Sequence, residues 1–134
     1  MKALTLDIPR QDWENTTGMT FSEVKNPELN EDKHPEDANK VIIKPLYTGF
    51  CGSDKGIWFR HAFKDMIFDS MDAEGQSHRI CGHELLGEIV EVGSVSANNY
   101  KYKVGDMVSA ESHIFCGRCH QCKIGDAHVC SDHK

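Results

Sequence analysis

Cys81-Gly82-His83-Glu84-Leu85-Leu86-Gly87-Glu88-Ile89-Val90-Glu91-Val92-Gly93 is the stretch on which the reading of this chain turns. It opens with two adjacent metal-capable side chains, His83 and Glu84. It continues as a buried strand over residues 85–92, in which only Glu88 and Glu91 are charged. Gly87 and Gly93 punctuate that strand, and a glycine in a strand marks a bulge, an end or a close backbone approach. A His–Glu pair at the mouth of a rigid strand is where a scaffold can hold a metal, although taken alone it is more often a surface pair. Its weight comes from what lies on either side: Cys51 upstream and a dense cysteine cluster downstream.

The 134 residues are one domain's worth of chain, enough to bury a core. Apolar content of 39% with 27% charged residues fits a globular protein in water. The net charge of −6, from 15 basic and 21 acidic residues, argues against a nucleic-acid binder and offers nothing to an anionic membrane. No apolar run approaches the length of a bilayer span. Residues 1–7 lack the apolar stretch of a signal peptide. The expected compartment is therefore the cytoplasm, where thiols stay reduced.

Residues 1–7 alternate as a first strand, ended by Ile8-Pro9, and residues 19–24 are a weaker second. Residues 26–39 are polar, with Pro27, Pro35 and an acidic run over 31–37, and read as a solvated connection that buries nothing. Residues 41–47 are rich in β-branched side chains and form the best strand of the first half. That strand delivers Thr48-Gly49-Phe50-Cys51 to a turn, after which Gly52-Ser53-Asp54 caps a short helix reaching Ile57 or Trp58. Residues 58–77 read as a partly helical excursion with an apolar face. After the 85–92 strand, residues 94–103 read as a polar loop, and Val104-Gly105-Asp106 turns into a strand over 107–110. Strands separated by turns, with little helix, point to an all-β domain. No GxGxxG occurs, so any nucleotide-binding domain has to lie outside these residues.

The six cysteines need a reason, and four of them, Cys116, Cys119, Cys122 and Cys130, read C-x2-C-x2-C-x7-C. Thiolates that close together can surround one ion tetrahedrally and leave no open position, which describes a structural zinc site. An iron–sulfur cluster and disulfides are the alternatives; spacing and a reducing compartment favour zinc. His120 and His128 then read as exposed loop residues.

With these residues in view, the chain resembles the zinc-dependent medium-chain dehydrogenase family, the alcohol dehydrogenase superfamily. Gly82-His83-Glu84-x2-Gly87-x5-Gly93-x2-Ser96 is similar to that family's zinc signature. Gly49-Phe50-Cys51-Gly52-Ser53-Asp54 looks like its first-ligand turn, and Cys116 to Cys130 like its structural-zinc lobe, here residues 113–131. The likeness covers most of residues 40–134 and is more general over 1–39. It implies a mainly β, GroES-like fold over residues 1–134: a partly open antiparallel β barrel with short helices and a zinc-binding lobe.

By the same resemblance Cys51 and His83 are catalytic zinc ligands, and Glu84 is a further ligand or an alternating neighbour of the metal. Adjacent strand residues face opposite sides, so His83 and Glu84 can share an ion only if the chain bends, as Gly82 allows. Ser53 is implied as the hydroxyl that passes on the substrate proton. Cys81 has no implied role and reads as a small packing residue. Many members carry a histidine five residues after the first cysteine ligand; here that position is Gly56. The relay then uses another group, such as His61, or passes from Ser53 through the cofactor and water.

The implied activity is oxidation of an alcohol by NAD or NADP, with the cofactor on a Rossmann domain that follows this one in the family. These residues are then an N-terminal part of the catalytic domain and half an active site, with a further zinc ligand expected from beyond Lys134. A homo-oligomer is implied at full length. Ser109-Ala110-Glu111-Ser112-His113-Ile114 and Ile57-Trp58 look like the threonine and polyol dehydrogenase branch, hence a small secondary alcohol bearing polar groups. Glu111 reads as support for the zinc region, a partner for a cation, or an exposed salt-bridge residue. Against that branch stand Gly56 and a lengthened 58–77 segment, expected to reshape the pocket rim. A stand-alone zinc-stabilised binding module is the rival from another class, but it leaves Cys51 and His83-Glu84 as coincidences. A zinc-free quinone-reductase-like relative is a third reading, against which the retained cysteines argue.

Overall fold

The computed structural model describes residues 1–112 and 114–131, so His113, the first residue of the expected lobe, lies outside the described residues. Six short strands form two antiparallel sheets. In the first, β1 (Lys2–Leu6) lies between β2 (Thr20–Glu23) and the two-residue β4 (Arg79–Ile80). In the second, β5 (Leu85–Val92) lies between β3 (Val41–Thr48) and β6 (Met107–Ser109). Neither three-stranded sheet closes on itself, as a partly open barrel requires.

The central strand of the second sheet is the stretch that opens with His83-Glu84. Ile89 is fully buried there. Gly87 marks a close approach: a Cβ at that position would stand 2.5 Å from Ile43 Cγ2 and 2.6 Å from the Lys44 carbonyl oxygen. A side chain would push β3 away, and the β3–β5 pairing sets the geometry described below. Pairing runs from Val41 opposite Val92 to Thr48 opposite Leu85, so the end of β3 and the start of β5 lie side by side.

The main apolar core lies elsewhere, between the first sheet and α2 (Lys64–Glu74). Leu6, Trp13, Ile67, Phe68 and Met71 are buried together, with Ile8, Ile57 and Cys81 packed against them. Trp13 meets Phe68 edge to face, ring centroids 5.9 Å apart, and its Nε1 donates to the Arg60 carbonyl at 2.9 Å. The Arg60 guanidinium is buried over the Trp13 ring and donates to the carbonyls of Ile57 and Gly18 at 2.6 and 2.7 Å. Those bonds tie the N-terminal hairpin to the end of α1 (Gly52–Trp58). Burial pushes the Cys81 thiol up, which suits a packing residue.

Three expectations are corrected. Residues 94–99 are not loop but a helix, α3 (Ser94–Asn99), with Ser96 buried. Its N-terminus is capped from far away: the Glu31 carboxylate accepts from Ser94 N at 2.7 Å and from Ser94 Oγ at 2.6 Å. A helix of serine, valine, alanine and asparagine has little propensity of its own, so the long-range cap carries it. The polar connection also buries something. Asp37, in a short 3-10 helix (Pro35–Asn39), is only 6% exposed. Lys40 Nζ and Asn30 N donate to its carboxylate, both at 2.8 Å, and in that order hold its pKa below the ordinary value. Helix is also more plentiful than the strand pattern suggests, α2 being the longest element among the described residues.

Candidate metal centres

The first centre forms where β3 ends and β5 begins. Cys51 occupies the N-cap of α1 and takes the part a serine would have: its Sγ accepts from Ser53 N at 3.3 Å. The Asp54 carboxylate reaches back, and its Oδ2 accepts from Cys51 N at 3.0 Å, completing a capping box. This local structure orients a thiol, a hydroxyl and a carboxylate at one helix start. Gly82, at φ 101°, supplies the bend before β5 that brings His83 onto the same side.

The result is a compact group. His83 Nε2 lies 3.2 Å from Cys51 Sγ and 3.3 Å from Ser53 Oγ, and the hydroxyl lies 2.8 Å from the thiol. The other ring nitrogen, Nδ1, faces Asp54 Oδ1 at 3.6 Å. Donor atoms of Cys51, Asp54 and His83 all lie within 4.8 Å of one another. Asp54 is 2% exposed, and its Oδ1 is a buried oxygen without a hydrogen-bond partner. An orphaned buried carboxylate oxygen is costly. The arrangement makes sense once His83 Nε2 has given its lone pair to a metal. Nδ1 then carries the proton and can donate it to Asp54. Sulfur and imidazole nitrogen at this spacing fit zinc.

Glu84 is not part of this group. Its carboxylate folds over Gly49, whose N–H donates to the Glu84 carbonyl at 3.0 Å. It faces a groove of about 440 Å³ lined by the ends of β3 and β6 and the start of β5, including Tyr47, Thr48, His83, Ser109 and Glu111. No residue of 58–77 lines that groove, because α2 turns Ile67, Phe68 and Met71 into the core. His61 stacks on Phe59 and lines a different cleft with Trp13 and Lys64, one that Ser53 does not line. The residue that sequence reasoning missed is Asp54, read there only as a helix cap. The signal was present in the spacing, since an acid three residues after the cap is a capping-box partner.

The second centre is local to one loop. Sulfurs of Cys116, Cys119, Cys122 and Cys130 all lie within 4.8 Å of one another, and all six cysteines of the chain are free thiols. Cys119 caps the short helix α4 (His120–Lys123), with its Sγ 3.4 Å from that of Cys122 and 3.9 Å from that of Cys130. Main-chain N–H groups already point at sulfur: Cys119 N at Cys116 Sγ (3.3 Å) and Cys116 N at Cys130 Sγ (3.4 Å). Such donors, from Cys122 first and Ser131 next, hold the Cys119 thiol down to about 5. Desolvation first, then the neighbouring Cys119, pushes Cys122 up to about 12. The sulfurs of such a loop cannot all be charged without a cation among them, and four of them suit zinc. His120 and His128 are exposed as expected, but neither lies in loop: His120 opens α4 and His128 sits in a short 3-10 helix (Ala127–Val129).

Two open antiparallel sheets, a Cys–His pair backed by a buried carboxylate, and a four-cysteine lobe are the features of a GroES-like fold with two candidate metal centres. Comparison with known proteins agrees. Residues 37–134 match the family model described as "Alcohol dehydrogenase GroES-like domain". The chain belongs to that family, within the zinc-dependent medium-chain dehydrogenase superfamily. It is 39% identical to an L-threonine 3-dehydrogenase of Caldanaerobacter subterraneus over 95 residues, covering 70% of this chain and 24% of that protein. Over 117 residues it is 35% identical to the L-threonine 3-dehydrogenase of Burkholderia vietnamiensis, covering 87% of this chain and 29% of that protein. Among solved structures it superposes on galactitol-1-phosphate dehydrogenase from Escherichia coli with a TM-score of 0.69 at 24% identity, covering 100% of this chain and 31% of that one. The match to zinc dependent alcohol dehydrogenase 2 from Streptococcus pneumonia has a TM-score of 0.62 at 28% identity, covering 98% and 30%. The chain thus spans under a third of the length of each of these proteins. Among the described residues no helix is long and apolar enough to cross a membrane.

Proposed function

We propose that these residues are the metal-bearing part of the catalytic domain of a zinc-dependent NAD(P) oxidoreductase that converts a small secondary alcohol to a ketone. The observation that carries the reading is the meeting of Cys51, Ser53 and His83 within 3.3 Å, with Asp54 buried behind the imidazole. Cys51 and His83 would hold the catalytic zinc, with Glu84 or a donor outside these residues adding to them. Cys116, Cys119, Cys122 and Cys130 would hold the structural one. When bound at the first centre, zinc supplies Lewis acidity to the substrate oxygen. Ser53 Oγ would accept the proton of the substrate hydroxyl, and a nicotinamide, when bound, would supply the hydride acceptor. With Gly56 where a relay imidazole would stand and His61 turned away, the proton leaves Ser53 through water.

The substrate reading is an amino alcohol or a polyol. The likeness to threonine dehydrogenases in sequence supports it, and the groove beside His83 mixes polar side chains such as Thr48, Ser109 and Glu111 with Leu85 and Leu86. The cofactor, NAD or NADP, would sit on a domain outside these residues. We place the full-length protein in the cytoplasm as a homo-oligomer, as its resemblance to the dehydrogenase family implies. The test is kinetic. Offered L-threonine, sorbitol and ethanol with each nicotinamide, the full-length protein should turn over one of the first two with much the highest kcat/KM. A preference for ethanol would refute the substrate reading.

A further inference from the structure

We infer that Arg60 is a positioning residue: it fixes the tilt of α1 and, through that helix, the place of Cys51 and Ser53 opposite His83. Its bearing on function rests on the reading of Cys51–His83 as a metal site. Arg60 is 7% exposed, and its guanidinium bridges two segments of the chain. On one side Nη1 donates to the Ile57 carbonyl at 2.6 Å, in the last turn of α1. On the other, Nη2 donates to the Gly18 carbonyl at 2.7 Å and Nε to Thr16 Oγ1 at 3.2 Å. The group lies over the Trp13 ring, 5.2 Å from its centroid, and Trp13 Nε1 donates to the Arg60 carbonyl. Gly18 N completes the joint by donating to the Trp58 carbonyl at 2.8 Å.

Two features show that this joint is kept against a cost. Its acceptors are carbonyls and a hydroxyl, so a charge is buried among neutral groups. Arg60 also stands at φ 61°, in the left-handed region where a side chain is strained. An apolar residue would fill the space at less cost. What the planar, forked guanidinium supplies instead is direction. Ile57 ties α1 to the core as well, but apolar contact is non-directional and does not set a helix's tilt.

The length of α1 turns direction into placement. Its seven residues put its ends about 10 Å apart. A tilt of about 6° about the Arg60 end therefore carries Cys51 about 1 Å. The atoms of Cys51, Ser53 and His83 meet at 2.8 to 3.3 Å, so such a shift breaks the group. Misplacement on that scale can cost on the order of 100-fold in rate. The capping box does not correct it, because Cys51, Ser53 and Asp54 all ride on α1 and move together.

Arg60→Lys keeps the charge and loses the fork. The experiment uses the whole chain with its lobe loaded with zinc and cobalt(II) added as the probe of the Cys51–His83 centre. Cobalt affinity should fall on the order of tenfold, with lobe zinc unchanged. Without cobalt, amide exchange at Cys51 and Ser53 should quicken roughly tenfold, while Ile89 in the second sheet keeps its rate. Phe68→Leu thins the same core against Trp13 without touching the joint, and is the control for lost stability. It should leave cobalt affinity and those two amides unchanged. If the two variants shift these readouts equally, or Arg60→Lys shifts neither, Arg60 is a stability residue only and the inference is overturned. Should Arg60→Lys fail to fold, Thr16→Val removes only the Nε acceptor and should give the same pattern in weaker form; no shift there overturns the inference too. If the wild-type chain binds no cobalt through Cys51, the metal reading of the centre fails instead, while amide exchange still decides whether Arg60 positions Cys51.

Discussion

The two candidate metal centres of this chain are built on opposite plans. The lobe draws all its donors from one loop, Cys116 to Cys130, and its four sulfurs leave no place for a substrate. The Cys51–His83 centre draws donors from one end of an antiparallel strand pair, just after β3 and just before β5, 32 residues apart in sequence, and offers few of them. What it has in place of more donors is support: a capping box that fixes the cysteine, and a buried carboxylate behind the histidine. A closed centre can hold its loop together, whereas an open centre must be held by the fold around it. On the function proposed above, the difference is that between structural and catalytic duty.

The largest effect should come from breaking the closed centre. Cys119→Ser removes a ligand that also caps α4, leaving three sulfurs around an incomplete site. We expect the lobe to lose its zinc entirely and the segment around Cys116 to Cys130 to become protease-sensitive. Metal content and limited proteolysis check it; a variant that keeps both its metal and its resistance would show that the lobe is not a structural zinc site.

A smaller effect should follow in the open centre when only its support is changed. In Asp54→Asn the amide oxygen can still accept from Cys51 N, but an NH2 now faces His83 Nδ1. That group donates, which forces the proton onto Nε2 and takes away the lone pair a metal needs. Cobalt affinity at Cys51–His83 should fall roughly 10- to 100-fold, with lobe zinc unchanged. Equal affinity in the variant would remove Asp54 from the account of the site.

The smallest effect should lie outside both centres. Asp37 is held below its ordinary pKa by Lys40 and by Asn30 N. A carboxylate with a depressed folded value contributes stability above its unfolded value, about 4, and loses it as pH falls through the lower folded one. Asp37→Asn should therefore lower the melting temperature slightly at neutral pH and converge with the wild type in acid, with both metal contents intact. A constant difference across that window would assign the effect to packing rather than charge.

The same contrast between local and assembled structure explains what could be read from the chain. Residues 41–47 and 85–92 announce themselves as strands because branched apolar side chains alternate or run on between turn residues, and the structure has them as β3 and β5. The lobe was legible because its chemistry is written in consecutive spacing. Cys51 and His83 became legible only through the family likeness, since nothing local says that β3 and β5 lie side by side. The cap on α3 comes from Glu31, so residues 94–99 carry no sign of it and look like loop. Asp54 was visible as a cap but not as the partner of a histidine in another element. Glu84 was visible as a neighbour of His83, yet where its carboxylate lies depends on Gly49 across the strand pair.

The measurement that bears most directly on one closed and one open centre is zinc occupancy, site by site, in this chain alone. After equilibration with zinc and dialysis against a weak chelator, a crystal of the chain should show a strong anomalous peak among Cys116, Cys119, Cys122 and Cys130. The peak between Cys51 and His83 should be weak or missing, because the described residues supply that centre with too few donors to hold zinc against competition. Two peaks of equal full strength, or a full peak at Cys51–His83 with none in the lobe, would contradict the account.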